Sequence, residues 1–165
     1  AILTGVPYYI LPSTSRAGFS PDNLRKNTSQ PSCPLDLITQ LRFPRRIGVP
    51  VIFTPQNSSL KVVPLSHNLN IHTCSDLWFC PESKIWTVKS SSIHRGLVVT
   101  TGGTFRSLGS WFRIERHGDS YKLVHCPRGS TPCRDVGIET VGGGGRRYLA
   151  PRDRPLAVRF TRASG

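Results

Sequence analysis

The stretch Trp111-Phe112-Arg113-Ile114-Glu115-Arg116-His117-Gly118-Asp119-Ser120-Tyr121-Lys122-Leu123-Val124-His125-Cys126 decides the fold. Two short runs, Trp111 to Ile114 and Tyr121 to Val124, are filled with aromatic and branched residues, the types that fit a pleated, half-buried surface. Between them lie Gly118, Asp119 and Ser120, residues that punctuate a chain with turns. The stretch therefore reads as two strands joined by a turn. Outward from it the pattern recurs at Tyr8 to Leu11, Leu35 to Ile38, Val49 to Phe53, Leu60 to Val63 and Leu69 to Ile71. It continues at Ile85 to Val88, Leu97 to Thr101, Val136 to Ile138, Tyr148-Leu149 and Ala157 to Phe160. About a dozen short strands in one chain suggest a closed barrel or a trefoil. No segment keeps apolar residues at i, i+3, i+4 and i+7 long enough for a helix. Asp22 to Lys26 makes one turn at most, and the glycines Gly142 to Gly145 suit a hairpin loop. Tyr8, Leu69 and Tyr121 open three similar runs, a faint threefold echo.

Composition agrees with this reading. The 165 residues suit one domain spanning 1–165. Fifteen Gly and fourteen Pro chop the chain into short pieces and disfavour long helices. Lys and Arg number 22 against 9 Asp and Glu, a net charge of +13. Such a charge keeps a chain soluble and attracts anions, so a polyanion is an expected partner class. The arginines are scattered and no nucleic-acid motif is present, so no specific nucleic-acid partner is expected. No apolar run approaches a membrane span. The opening AILTGVPYYIL lacks a charged leader region, as expected of a mature chain after a signal peptide has been removed.

Five cysteines stand at Cys33, Cys74, Cys80, Cys126 and Cys133. No Cys-x-x-Cys occurs, which removes support from zinc-ribbon and thioredoxin-like readings. Cys126 and Cys133 bracket PRGSTP, a spacing that suits a small disulfide loop. Secretion with two bridges is the reading adopted, leaving one cysteine unpaired or joined to another chain. Two sequons, at Asn27 and Asn57, fall in Pro- and Ser-rich stretches where a glycan would be accommodated. Enzyme chemistry finds no support. There is no Gly-x-Ser-x-Gly and no His-Glu-x-x-His, and His67 and His72 have no third ligand at useful spacing, so neither a metal nor a cofactor is expected.

Several segments, in order and spacing along almost the whole chain, resemble the Kunitz-type soybean trypsin inhibitor family of plants. They are Tyr8-Tyr9-Ile10-Leu11, Cys33-Pro34-Leu35, Gly48 to Phe53, Leu69-Asn70-Ile71, Trp86, Trp111 to Arg116, Tyr121 to Pro127, Asp135 to Ile138 and Arg146 to Ala150. The resemblance implies an all-β β-trefoil, a six-stranded barrel capped by three hairpins. It implies bridges Cys33–Cys80 and Cys126–Cys133, with Cys74 outside the pattern. It further implies a secreted or vacuolar protein of plant defence or storage that inhibits a protease, by preference a trypsin-like serine protease.

In such relatives an Asn before the first Gly braces the inhibitory loop, and the matching residue here is Thr4. The reactive residue of trypsin-inhibiting relatives is Arg or Lys. By local chemistry Pro44-Arg45-Arg46-Ile47 resembles such a site, which makes Arg45, Arg46, Ile47, Gly48, Val49 and Pro50 the expected loop, with Arg46 entering the protease pocket. Aligned from Val51 to Phe53, the site falls instead near Pro50 or Ile52, and an apolar residue there would suit a chymotrypsin-like or elastase-like target. Inhibition of a cysteine protease is a further alternative. Trp78 to Val88 is similar to water-soluble chlorophyll proteins of the same fold, which makes a pigment or small-molecule binder another non-inhibitory reading.

Overall fold

The computed structural model describes residues 1–21, 35–39, 47–75, 80, 83–91, 96–141 and 146–163. Twelve strands run β1 Tyr8–Pro12, β2 Phe19–Pro21, β3 Leu37–Thr39, β4 Val51–Pro55, β5 Leu69–Thr73, β6 Thr87–Ser90, β7 Leu97–Thr100, β8 Phe112–His117, β9 Ser120–His125, β10 Arg134–Val141, β11 Arg146–Arg152 and β12 Val158–Arg162. Among the described residues, helical structure is confined to two 3-10 turns, Leu108–Ser110 and Pro127–Gly129. Asp22 to Lys26 and Gly142 to Gly145 lie outside the described residues.

Six of the strands close a ring. β1 pairs with β4, β4 with β5, β5 with β8, β8 with β9, β9 with β12 and β12 with β1, all antiparallel. The other six form hairpin-like pairs, β2 with β3, β6 with β7 and β10 with β11. The architecture is thus the β-trefoil, a six-stranded barrel with three hairpins. The faint sequence echo finds its cause here, because Tyr8, Leu69 and Tyr121 begin or lie at the start of the first strand of each third. Each is registered against the last strand of its own third, Tyr8 with Val51, Leu69 with Phe112 and Tyr121 with Val158.

The inward faces of these strands, together with Trp86 just ahead of β6, make one core that includes Phe53, Ile71, Phe112, Ile114, Leu123 and Val158. Phe112 meets Trp86 edge-on at 6.3 Å and Phe53 meets Phe160 at 5.6 Å, geometries that favour aromatic pairs beyond simple burial. Trp86 satisfies its indole N–H on Thr73 Oγ1 at 3.0 Å. It is therefore a core residue, while Trp78 and Phe79, the other aromatics of the chlorophyll-protein-like stretch, lie outside the described residues.

Leu60 to Val63 is not a strand. Only Val63 is buried, and the segment belongs to the loop joining β4 to β5. Its branched residues satisfy strand propensity, but a single bridge between Val62 and Leu3 is all the pairing it makes. Cys126 and Cys133 are bonded and Cys74 is a free, half-buried thiol. Cys80 is disulfide-bonded, and Cys33, the partner the resemblance implies, lies outside the described residues.

Two features of this frame yield predictions. Gly48 sits at φ +91°, and a Cβ there would stand 2.3 Å from the carbonyl oxygen of Phe19. Gly48→Ala combines left-handed strain with a backbone clash, so it should destabilise by about 2 kcal/mol or more in a denaturant titration. His125 is buried against Phe112 and donates from Nε2 to the Gly109 carbonyl at 2.9 Å. Burial lowers its pKa from 6.5, and the bond to Gly109 opposes this only in part. His72 is lowered as well, by burial and then by Lys84. A depressed histidine favours the fold above the unfolded value and loses that contribution as pH falls from about 6.5 toward the folded value. Thermal midpoints should therefore drop between roughly pH 7 and pH 5, with a shallower slope in His125→Gln.

Candidate inhibitory loop

The connection from β4 to β5 is the loop 56–68, QNSSLKVVPLSHN. Its feet are closed by a hydrogen bond from Gln56 N to the Asn68 carbonyl at 2.8 Å. Residues 56–62 are all exposed. At the tip, Leu60 N donates to the Asn57 carbonyl at 3.2 Å. Asn57 Oδ1 accepts from both Ser59 N at 3.2 Å and Ser59 Oγ at 2.6 Å. An Asn side chain that bonds the backbone two residues on shapes a turn without help from the rest of the fold.

The limb that follows the tip is held from behind by the N-terminal segment. Thr4 N donates to the Lys61 carbonyl at 2.9 Å, Val63 N donates to the Ile2 carbonyl at 2.8 Å, and Leu3 bridges Val62. The segment is itself tied down, since Leu3 N donates to the Tyr8 hydroxyl at 2.8 Å. Thr4 thus stands against loop 56–68. It does so through its main chain, because its own Oγ1 is buried without a hydrogen-bond partner. A half-open cleft of about 300 Å³ is lined by Pro55, Leu60, Pro64 and His67.

The reactive residues singled out from the sequence, Arg45 to Pro50 and Ile52, are not part of loop 56–68. Arg45 and Arg46 lie outside the described residues. Ile47 is exposed, but the backbone around it is embedded: Val49 N donates to the Phe19 carbonyl and Cys74 N to the Pro50 carbonyl, each at 2.8 Å. Gly18 lies so close that a Cβ there would meet the Ile47 carbonyl oxygen at 1.9 Å. Gly48 to Pro50 are thus built into the frame beside β2. Ile52 is half-buried within β4, registered with His72. The main-chain amide of Thr4 bonds Lys61 and not a residue of Ile47–Pro50. Of the two sequons, Asn57 stands exposed at the loop tip, and Asn27 lies outside the described residues.

Sequence reasoning passed over loop 56–68 because its only Lys or Arg is Lys61, in a run read as a strand. Thr4, the residue matched in sequence to the family's brace, is one whose main chain reaches this loop. Among the described residues, no group of three or more His, Cys, Asp or Glu could hold a metal ion.

Comparison with known proteins gives the arrangement its context. A bark lectin isoform 2 of Crateva tapia is 97% identical over 165 residues, covering 100% of both chains. The crystal structure of CrataBL, a trypsin inhibitor from Crataeva tapia, superposes with a TM-score of 0.92 at 95% identity, over 99% of this chain and 100% of that one. Kunitz trypsin inhibitor 3 of Arabidopsis thaliana is 36% identical, covering 98% of this chain and 74% of its own. The Kunitz legume family model, described as trypsin and protease inhibitor, matches residues 1–162. With barrel, hairpins and a loop backed by the N-terminal segment in place, the chain belongs to the Kunitz legume family of trypsin and protease inhibitors.

Proposed function

We propose that the chain is a serine protease inhibitor that offers residues 57–62 to the protease as a substrate-like loop. The observation that carries this is the exposed tip whose trailing limb is hydrogen-bonded, strand fashion, to Ile2–Thr4. A loop already ordered before contact has little entropy left to lose on binding. After cleavage the same bonds keep the new ends together, so religation competes with hydrolysis. The inhibitory relatives support the reading, among them a 95% identical chain named as a trypsin inhibitor. Relatives such as the seed protein of Theobroma cacao fit a secreted or stored plant protein.

The scissile carbonyl must be free to enter the protease's oxyanion hole. The Lys61 carbonyl is already taken by Thr4 N. The Asn57 carbonyl is likewise taken, by Leu60 N, so the scissile bond follows Ser58, Ser59 or Leu60, none of which is charged. Binding to trypsin through this loop proceeds without the Arg–Asp pair that a basic primary residue makes at the bottom of the pocket. Arg46 remains the competing site, because its surroundings resemble a reactive stretch. A second reading, binding of anionic glycans, is supported by the +13 charge and by the relative named a lectin. Retention on heparin that falls steeply with salt would bear it out.

The deciding experiment is a trypsin titration of the chain and of Arg46→Ala, Ser58→Arg and Leu60→Arg, with mass mapping of any slow cut. At least one tip variant should inhibit about tenfold more tightly or better, the gain of a roughly 1.5–3 kcal/mol charged pair, and be cut at the new arginine. Arg46→Ala should inhibit like the parent. Loss of inhibition in Arg46→Ala, with a cut after Arg46 in the parent, would move the site to Arg45–Pro50.

A further inference from the structure

We infer that Arg106 and Arg113 are positioning residues that clamp the feet of loop 56–68, an inference that rests on that loop being the inhibitory one. The brace from Ile2–Thr4 reaches only one limb, at 61–63. With no partner for the Thr4 hydroxyl, that brace is made of main-chain bonds alone, and a second source of stiffness would add to it.

That source lies on the other side of the loop. Arg106 Nη1 donates to the Gln56 carbonyl at 2.6 Å, fixing the point where the chain leaves β4. Asn68, where the chain re-enters β5, is held through both ends of its amide. Its Nδ2 donates to Gln56 Oε1 at 3.0 Å and to the Gly129 carbonyl at 2.9 Å. Its Oδ1 accepts from Arg113 Nε at 2.8 Å, and Arg113 Nη2 reaches the same Gly129 carbonyl at 3.0 Å. One guanidinium thus spans the loop's exit and the backbone of the Cys126–Cys133 loop, a two-branched contact that a lysine cannot reproduce. The close approach requires a glycine, since a Cβ on Gly129 would lie 2.8 Å from Asn68 Nδ2. β8 adds a third hold, because Ser66, at φ +61°, donates from N to the Ile114 carbonyl at 2.9 Å and from Oγ to Glu115 Oε2 at 2.5 Å.

These bonds do not fill the barrel, so their loss should loosen the loop and spare the core. Arg106 has φ +64°, so Arg106→Gly removes the guanidinium without adding strain. The test compares Arg106→Gly, Arg113→Ala and Arg113→Lys, each alone and combined with Leu60→Arg. It reads the inhibition constant for trypsin, the rate of loop cleavage, and amide hydrogen exchange. The expected result is roughly tenfold weaker inhibition or more, about 1.4 kcal/mol per tenfold, with faster cleavage. Exchange should rise across 56–68 while amides of β5 and β8 keep their protection, and Arg113→Lys should behave as Arg113→Ala. Unchanged loop exchange in both Arg106→Gly and Arg113→Ala overturns the clamp whatever the inhibition does. Raised exchange with unchanged inhibition, in a Leu60→Arg background that does inhibit, overturns its role in inhibition. A Leu60→Arg chain that gains nothing while the exchange pattern holds would leave the clamp standing and count against the loop assignment.

Discussion

Closure of the ring through β12, which pairs with β1 on one side and β9 on the other, is the constraint on which the rest of the structure depends. A barrel exists only when the last strand finds the first, so its inward side chains must together fill one interior. That condition draws Phe53, Ile71, Phe112, Ile114 and Leu123 inward and leaves only the outward faces and the connections free to serve function. Variation is pushed to the connections. Of these, 56–68 stands out as long, exposed along one whole arc, and yet tied at its limb and at both feet.

The frame was largely legible in the sequence because its strands are short, apolar and bounded by turn residues. Tyr8 to Leu11, Leu69 to Ile71 and Trp111 to Val124 needed only local chemistry to be placed. β2 went unread, since Phe19-Ser20-Pro21 is too short and too polar to announce itself. Leu60 to Val63 misled for the opposite reason. Its side chains suit a strand, but what it pairs with is a single bridge from the distant N-terminal segment. Propensity measures fit to a surface, and no local rule supplies the surface.

The loop proposed for inhibition was harder to read for a related reason. Charge drew attention to Arg45 and Arg46, because a trypsin pocket asks for it. Support, which matters as much, is a property of contacts between residues far apart in sequence: Thr4 with Lys61, Arg106 with Gln56, Arg113 with Asn68. The substitution of a hydroxyl for an amide at position 4 could be seen from the sequence. That the hydroxyl is orphaned and the main-chain amide carries the bond could be seen only in the fold.

The neighbourhood of strands also decides what a broken chain would be. β4 and β5, which flank the loop, are paired along five residues, and β1 and β12 are paired along another five. A cut between them at the loop therefore severs the link between the first and second thirds without removing the pairing that holds them side by side. The pairing of β4 with β5, not the chain continuity of the loop, holds these strands together, and that is the property a substrate-like inhibitor requires.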